Sequence, residues 1–380
     1  MKRHILVLDP TPFAGGSKVA TLNILRLLDP QTTRVSVLTN DIASWPGAQI
    51  TRQPLGEAQS LTKQEQGLSY FARHLLIALH ILRLRLRHGP IDIALGASGP
   101  GVDLALYLAK PLLGYRLVQL VHGPVARSRT IARCLQKADQ VYYLESSRNA
   151  LLTALATLDD SPELPASRFS LLQNGLPNEG WPSLCQKEQP VIYWAASLLK
   201  WKGLEILLKA LKQLDTAERP TSHICYIRPQ GTTLAVSQAP VEIKSVDWHH
   251  APKNLDEIRA SSNIFVSTSD KEPFGLSILE AMAAAHCIVI PADGAYWDRT
   301  LEDGIECIKY RPGDSQDLAN KLRELSQNMQ RVKELGAAAF CKAQQYRAEK
   351  CLKEITQTLQ ESHTANRAGK FNTPHIGIGQ

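Results

Sequence analysis

Glu272 and Glu280 stand eight residues apart in Asp270-Lys271-Glu272-Pro273-Phe274-Gly275-Leu276-Ser277-Ile278-Leu279-Glu280-Ala281-Met282-Ala283. The apolar run 263–267 reads as a buried strand, 268–274 as a loop, and a helix is expected to begin between Phe274 and Ser277 and to reach residue 285. Pro273 suits the first turn of such a helix. Gly275 lets a ligand come close to the backbone. The amides of Phe274, Gly275 and Leu276 would then project from a helix N-terminus at the carboxyl end of a strand. That is an anion site worth about 1–2 kcal/mol to a phosphate. Glu272, at its mouth, is placed to accept hydrogen bonds from sugar hydroxyls. Glu280, one to two turns deeper, can accept both hydroxyls of a ribose, as a carboxylate does in dinucleotide-binding folds. Either glutamate alone reads more simply as a solvated side chain or an ion-pair partner. The chemistry comes from the combination.

Other residues could join this site. Gly15 and Gly16 follow the first apolar run, where a glycine pair brings backbone amides near a phosphate, although a plain turn explains them equally well. His122 ends the apolar run 117–121, and Gly123 follows it. A lone histidine is more often structural, but at a strand tip beside a glycine it is a candidate for sugar contact and transition-state support. Lys202-Gly203 lies just past the run 191–195 and offers a cation to a diphosphate.

These residues need a scaffold. Strand candidates fall at 4–8, 34–38, 91–95, 116–121 and 140–144, with helical stretches at 18–28, 68–87, 101–113 and 146–158 between them. The pattern breaks at 173–189, rich in Pro, Gly and Asn, and resumes with strands at 191–195, 223–227, 263–267 and 287–290. Alternation of this kind predicts α/β architecture: two doubly wound, Rossmann-like domains with parallel sheets. The expected division is 1–182 and 183–345, then a C-terminal helix at 346–365 that crosses back to the first domain, and a disordered tail at 366–380. Ligands of open α/β sheets bind at the carboxyl ends of the strands, so two facing domains place the site in the cleft between them.

In this order along nearly the whole chain, the segments resemble family 4 of the retaining glycosyltransferases, whose fold is GT-B and whose signature is the E-x7-E motif. The match is most specific over 270–283. The resemblance implies that Glu272 contacts the donor sugar, that the amides of Phe274, Gly275 and Leu276 hold sugar and diphosphate, and that Glu280 binds the nucleotide ribose. It places His122 beside the donor sugar, likens Gly15-Gly16 to the family's N-terminal glycine loop, and likens Asn174-Gly175 to a turn at the domain hinge. The implied reaction moves a sugar, with retention, from a nucleoside-diphosphate sugar to a hydroxyl acceptor. His122 and Glu272 are the catalytic candidates. Gly15, Gly16, Ser197, Lys202, Phe274, Gly275, Leu276 and Glu280 are the donor-binding ones.

The chain also departs from the family. Gly-Arg-Leu is usual where this sequence has Ala196-Ser197-Leu198, so the two-pronged guanidinium is replaced by a serine while the point charge of Lys202 remains. Lys200 or Arg228 are candidates to supply the missing charge.

Bulk properties limit the alternatives. The seven scattered cysteines contain no C-x-x-C pair, which points to a reducing compartment and no zinc site. No D-x-D pair is expected at a strand end, so neither a metal nor a separate cofactor is required. No apolar run approaches the roughly 18 residues that cross a bilayer, which predicts a cytoplasmic protein, peripheral at most. The net charge is +7, with most of the excess before residue 190. No nucleic-acid module is recognisable, so phosphate-bearing ligands or an anionic membrane surface are the expected partners.

The stretch from Leu68 to Arg87 carries Arg73, His80, Arg83 and Arg87 and reads as a basic helix suited to such a surface, or as a core-packing helix with a solvated face. Arg127, Arg129 and Arg133 extend this basic character or hold an acceptor phosphate. A glycan or glycolipid acceptor, in surface polysaccharide or lipopolysaccharide assembly, fits these features. A nucleotide-sugar epimerase on the same scaffold and a catalytically weak nucleotide-sugar-binding protein are the competing readings.

Overall fold

The computed structural model describes residues 2–55 and 67–361, so the expected tail lies outside the described residues. The first sheet is built from β1 (Arg3–Asp9), β2 (Thr33–Thr39), β3 (Ile50–Pro54), β4 (Ile93–Gly96), β5 (Arg116–Val121), β6 (Gln140–Tyr143) and β7 (Phe169–Leu171). All its pairings are parallel, in the order β3-β2-β1-β4-β5-β6-β7. Its helices are α1 (Gly16–Arg26), α2 (Gly67–His88), α3 (Leu104–Leu113), α4 (Arg129–Lys137) and α5 (Arg148–Leu155).

The second sheet runs β10-β9-β8-β11-β12-β13, again parallel throughout. Its strands are β8 (Val191–Ser197), β9 (Thr221–Ile227), β10 (Val246–His250), β11 (Ile264–Val266), β12 (Cys287–Pro291) and β13 (Ile308–Tyr310). Around it pack α6 (Leu204–Lys212), α7 (Leu255–Ala260), α8 (Leu276–Ala283), α9 (Tyr296–Thr300), α10 (Ser315–Ser326) and α11 (Met329–Ala343). Two doubly wound sheets of this kind facing one another make the GT-B fold. In each, the strand order reverses at the first strand, opening a crevice at the carboxyl ends of β1 and β4 and of β8 and β11.

Parallel strands are covered on both faces, so the central ones are continuously apolar. Ile5, Leu6, Val7 and Leu8 are fully buried, as are Ile264, Val266 and Val289. The strands that the apolar runs do not reveal are β3, β7, β10 and β13. All four end a sheet, where one flank is open and burial is weak: Ile50 alone of β3 is buried, and no residue of β10 is. The short helices α4 and α7 bury only three and two residues, too few to set a readable helical period.

The chain returns to its first half through α12 (Ala348–Cys351) and α13 (Lys353–Gln360). Leu176 donates its amide to Tyr346 and accepts from Ala348, both at 2.9 Å. A Cβ on Gly175 would stand 2.8 Å from the Ala348 Cα, so only glycine fits where the two crossings meet. Farther along, the Tyr142 hydroxyl lies 2.7 Å from Thr358 Oγ1, which ties α13 to the first sheet.

One sequence expectation is corrected on α2. Arg73 is not on a basic face: it is buried, stacked on Tyr70 and 3.0 Å from His74 Nε2. The solvent side of α2 instead carries Leu68, Phe71, Leu75, Leu76, Leu79 and Leu86, with Arg83 and Arg87 beside them. No helix among the described residues is long and apolar enough to cross a membrane.

Candidate functional site

A cavity of about 650 Å³ lies between the two halves, at the carboxyl ends of both sheets. Gly15, Gly16, Ser98, Gly99, His122 and Asn174 line it from the first half. Ser197, Trp201, Lys202, Glu272, Gly275 and Glu280 line it from the second. His122, Glu272, Gly15, Gly16, Ser197, Lys202, Phe274, Gly275, Leu276 and Glu280, the catalytic and donor-binding candidates of the sequence, are all among the lining residues. The volume is in the range of small-molecule sites.

Two braced loops hold the centre of the second half. β11 delivers the chain to Thr268, whose hydroxyl accepts from Trp194 Nε1 at 3.0 Å and donates to the Lys202 carbonyl at 2.8 Å. The Asp270 amide donates to the Trp201 carbonyl at 2.8 Å. Gly203 sits at φ +69°, and a Cβ there would lie 2.1 Å from the Thr268 carbonyl oxygen, so the loops touch backbone to backbone. Lys271 takes φ +47°, and its amide is held by the Asp293 carboxylate at 2.8 Å. Two chains braced in this way present Lys202 and Glu272 to each other as an ion pair, with both side chains largely buried. The Trp201 ring centroid lies 4.0 Å from the ammonium, on which it stacks as a cation–π partner.

The helix that follows opens at Gly275, at φ +80°, where a Cβ would press on the Glu272 and Ile278 side chains at 2.9 Å. Phe274 turns its ring inward onto Tyr296 and Trp297. No hydrogen bond among the described residues engages the amides of Phe274, Gly275, Leu276 or Ser277. These donors stand at the positive end of α8. Across the cleft, α1 starts at Gly15-Gly16 with no side-chain cap, and its first glycines have open space beside them. Two helix N-termini, one from each half, therefore border one cavity.

Glu280 is deeper. One of its carboxylate oxygens accepts from Arg259 Nη2 at 2.9 Å, and Arg259, itself buried, also holds Asp256 at 2.7 Å. The other oxygen remains for a ligand. Arg259 had no signal in the sequence. It lies 21 residues before its partner, in the short polar helix α7, and only the packing of α7 against α8 makes it part of the site.

His122 ends β5 at the edge of the cavity. Its Nε2 makes a long contact of 3.4 Å with the Thr21 hydroxyl, which donates to the Ser17 carbonyl at 2.8 Å. Since that hydroxyl hydrogen is already used, the geometry favours the Nε2–H tautomer, with Nδ1 as the acceptor. Nδ1 has no partner among the described residues. Burial lowers the imidazole pKa to about 4, so the ring is neutral near pH 7.

The missing guanidinium is not replaced. Lys200 pairs with Glu205 on the surface, and Arg228 is exposed and donates to the Ala239 carbonyl at 2.6 Å. Neither lines the cavity, where Lys202 is the single lysine or arginine among the lining residues.

Residues 178–341 match the family profile described as glycosyl transferases group 1. The match covers most of the second half and none of the first. Over 94 residues the chain is 33% identical to the sulfoquinovosyl transferase SQD2 of Arabidopsis thaliana, a match covering 24% of this chain and only 18% of that protein. Among solved structures, Anabaena HepE in complex with UDP-glucose superposes with a TM-score of 0.69 at 19% identity, over 94% of this chain and 99% of that one. WaaG, a glycosyltransferase involved in lipopolysaccharide biosynthesis, superposes with a TM-score of 0.65 at 13% identity, over 94% and 100%. At these identities the structural matches establish the shared GT-B fold.

Proposed function

We propose that this chain is a retaining, metal-independent hexosyltransferase that moves a sugar from a nucleoside-diphosphate sugar to a hydroxyl acceptor. One observation carries the reading: the Lys202–Glu272 pair, the unbonded amides of residues 274–277 and Glu280 converge with His122 on one cavity between the two halves. Glu280 accepts the ribose hydroxyls, and the amides with Lys202 hold the diphosphate. Glu272 and the Nδ1 of His122 accept hydroxyls of the donor sugar. In the reaction the bond from the anomeric carbon to the diphosphate oxygen breaks, and the electron pair leaves with the phosphate. The acceptor oxygen bonds to that carbon on the same face, and its proton passes to the departing diphosphate oxygen. The growing negative charge on the diphosphate falls where the helix amides and Lys202 already point, so little reorganisation is needed.

HepE is described with UDP-glucose, which makes UDP-hexoses the first donors to test. WaaG supports an acceptor of the lipopolysaccharide or surface-polysaccharide kind. The apolar side of α2, with Arg83 and Arg87, suits peripheral contact of a cytoplasmic enzyme with an anionic membrane. Neither the fold nor the comparisons favour the epimerase alternative.

A thermal-shift screen of UDP-, GDP-, ADP- and CMP-sugars tests the donor site. A ligand at a hundred times its Kd adds about 2.7 kcal/mol of stability. No shift with any of them would sink the reading. In an active pair of substrates, Glu272→Ala should lower turnover by orders of magnitude while the protein stays folded. Undiminished turnover would remove Glu272 from the catalytic site, and donor binding without turnover across acceptors would favour a binding protein.

A further inference from the structure

The loop after His122 carries charges that neither the fold nor the donor site uses. Gly123, Pro124 and Val125 line the cavity, and the chain then reaches Arg127, the capping residue Ser128 and Arg129, the first residue of α4. Arg133 follows one turn later on the same helix face. All three arginines are exposed, and none has an ion pair or hydrogen bond among the described residues. Arg34, Arg52, Arg148 and Arg168 of this half are anchored, on the His88 carbonyl, the Trp45 carbonyl, Glu145 and the Gln136 carbonyl, whereas Arg26 and the α2 arginines Arg83, Arg85 and Arg87 share the unpaired state.

The placement is unfavourable for the fold. The first turn of α4 contains no acidic residue, so Arg129 stands at the positive end of the helix dipole, and Arg133 adds a like charge four residues on. An anion relieves both conflicts, and guanidinium groups match phosphate oxygens in pairs. The site is also within reach of the reaction centre. Arg127 is five positions beyond His122, which spans at most about 18 Å of chain.

We infer that Arg127, Arg129 and Arg133 form a phosphate-binding site on the acceptor side of the cleft. The acceptor is then a phosphate or diphosphate ester whose reacting hydroxyl lies one or two sugar units from the phosphate. This rests on the transferase reading above, with the donor held mainly by the second half and the acceptor met by the first. The start of α2 is close by, because Tyr70 donates to the Gly101 carbonyl at 2.6 Å and a Cβ on Gly101 would stand 3.4 Å from Ile131 of α4. A phosphate ester carrying a lipid tail fits both features together.

Calorimetric titration of the full chain with inorganic pyrophosphate tests the site. The comparison uses wild type, the triple variant R127A/R129A/R133A and Lys202→Ala. Wild type should show two binding events. The triple variant should lose one of them or weaken it at least about tenfold, the value of one charge-assisted contact. Lys202→Ala should weaken the other. A triple variant that binds pyrophosphate like wild type overturns the inference, whereas a Lys202→Ala that does so tells against the donor site instead. The triple variant should melt no lower than wild type, because its arginines hold nothing in the fold; a large drop would make them structural.

Vesicles of phosphatidylcholine with phosphatidylglycerol separate the two sources of phosphate. Cosedimentation should fall mainly for Leu75→Ser/Leu79→Ser. If the triple variant abolishes vesicle binding and leaves pyrophosphate binding intact, the arginines serve the bilayer and the acceptor site is refuted.

Discussion

Substituting Gly203 by alanine should uncouple the two loops that make the Lys202–Glu272 pair. Gly203 has φ +69°, and a Cβ there would stand 2.1 Å from the Thr268 carbonyl oxygen and 3.0 Å from its carbon. A left-handed alanine costs about 1–2 kcal/mol. Forcing a methyl group against backbone that cannot rotate away adds about 1–3 kcal/mol. The sum, about 2–5 kcal/mol, corresponds to a melting temperature lower by roughly 4–20 °C in a domain of this size. Gly294 is the control. It has φ +77° but nothing within 4 Å of its added Cβ, so Gly294→Ala should cost only the conformational part. Calorimetric melting of both variants, with donor affinity measured beside it, isolates the contact with Thr268. Gly203→Ala should lose donor affinity as well, because the same shift moves Lys202 away from Glu272. Equal melting temperatures for the two variants, with unchanged affinity, would refute the view that this backbone contact sets the site.

Arg259→Met should leave the Glu280 carboxylate without its partner. Removing one member of a pair this deeply set costs about 2–3 kcal/mol, discounted because Glu280 retains some solvent. Nucleotide affinity should fall with it, read by titration, and Asp256→Asn, which spares Glu280, should change it much less. Stability should also decline in mild acid. Burial lowers His4 and His122 to about 4, and His74 and His286 to about 3. Below pH 6.5 the unfolded chain takes up protons that these folded imidazoles refuse, so protons favour unfolding until the folded values are reached. The melting temperature should therefore drop steadily from pH 6.5 toward 4, with a slope of up to about 1.4 kcal/mol per pH unit for each such ring. A flat profile between pH 7 and 5 would show that the rings are reached by solvent in the folded state.

Features that depend on short stretches of chain were legible in the sequence. Alternating apolar runs and helical periods give two doubly wound sheets, because parallel strands must be apolar on both faces. The order strand, loop, Pro-Phe-Gly, helix places unbonded amides at a carboxyl strand end, and Lys202-Gly203 and His122 mark the strand tips opposite. Edge strands such as β3 and β10 were not legible, since half their surface faces water and their side chains carry no alternation. Helix α2 was legible as a helix, but which of its sides faces the core was not. Tyr70 and His74 draw Arg73 inward while six apolar side chains remain outside.

By itself the sequence determined the local chemistry: which residues sit at strand ends and helix starts, and that a serine stands where an arginine was expected. Only the tertiary structure decided who partners whom. Glu272 meets Lys202 across 70 residues, Glu280 meets Arg259 across 21, and neither Lys200 nor Arg228 turns toward the cavity. Charge pairing of this kind is decided by the distance between segments that follow different strands, and that distance exists only once the second sheet and its helices have assembled.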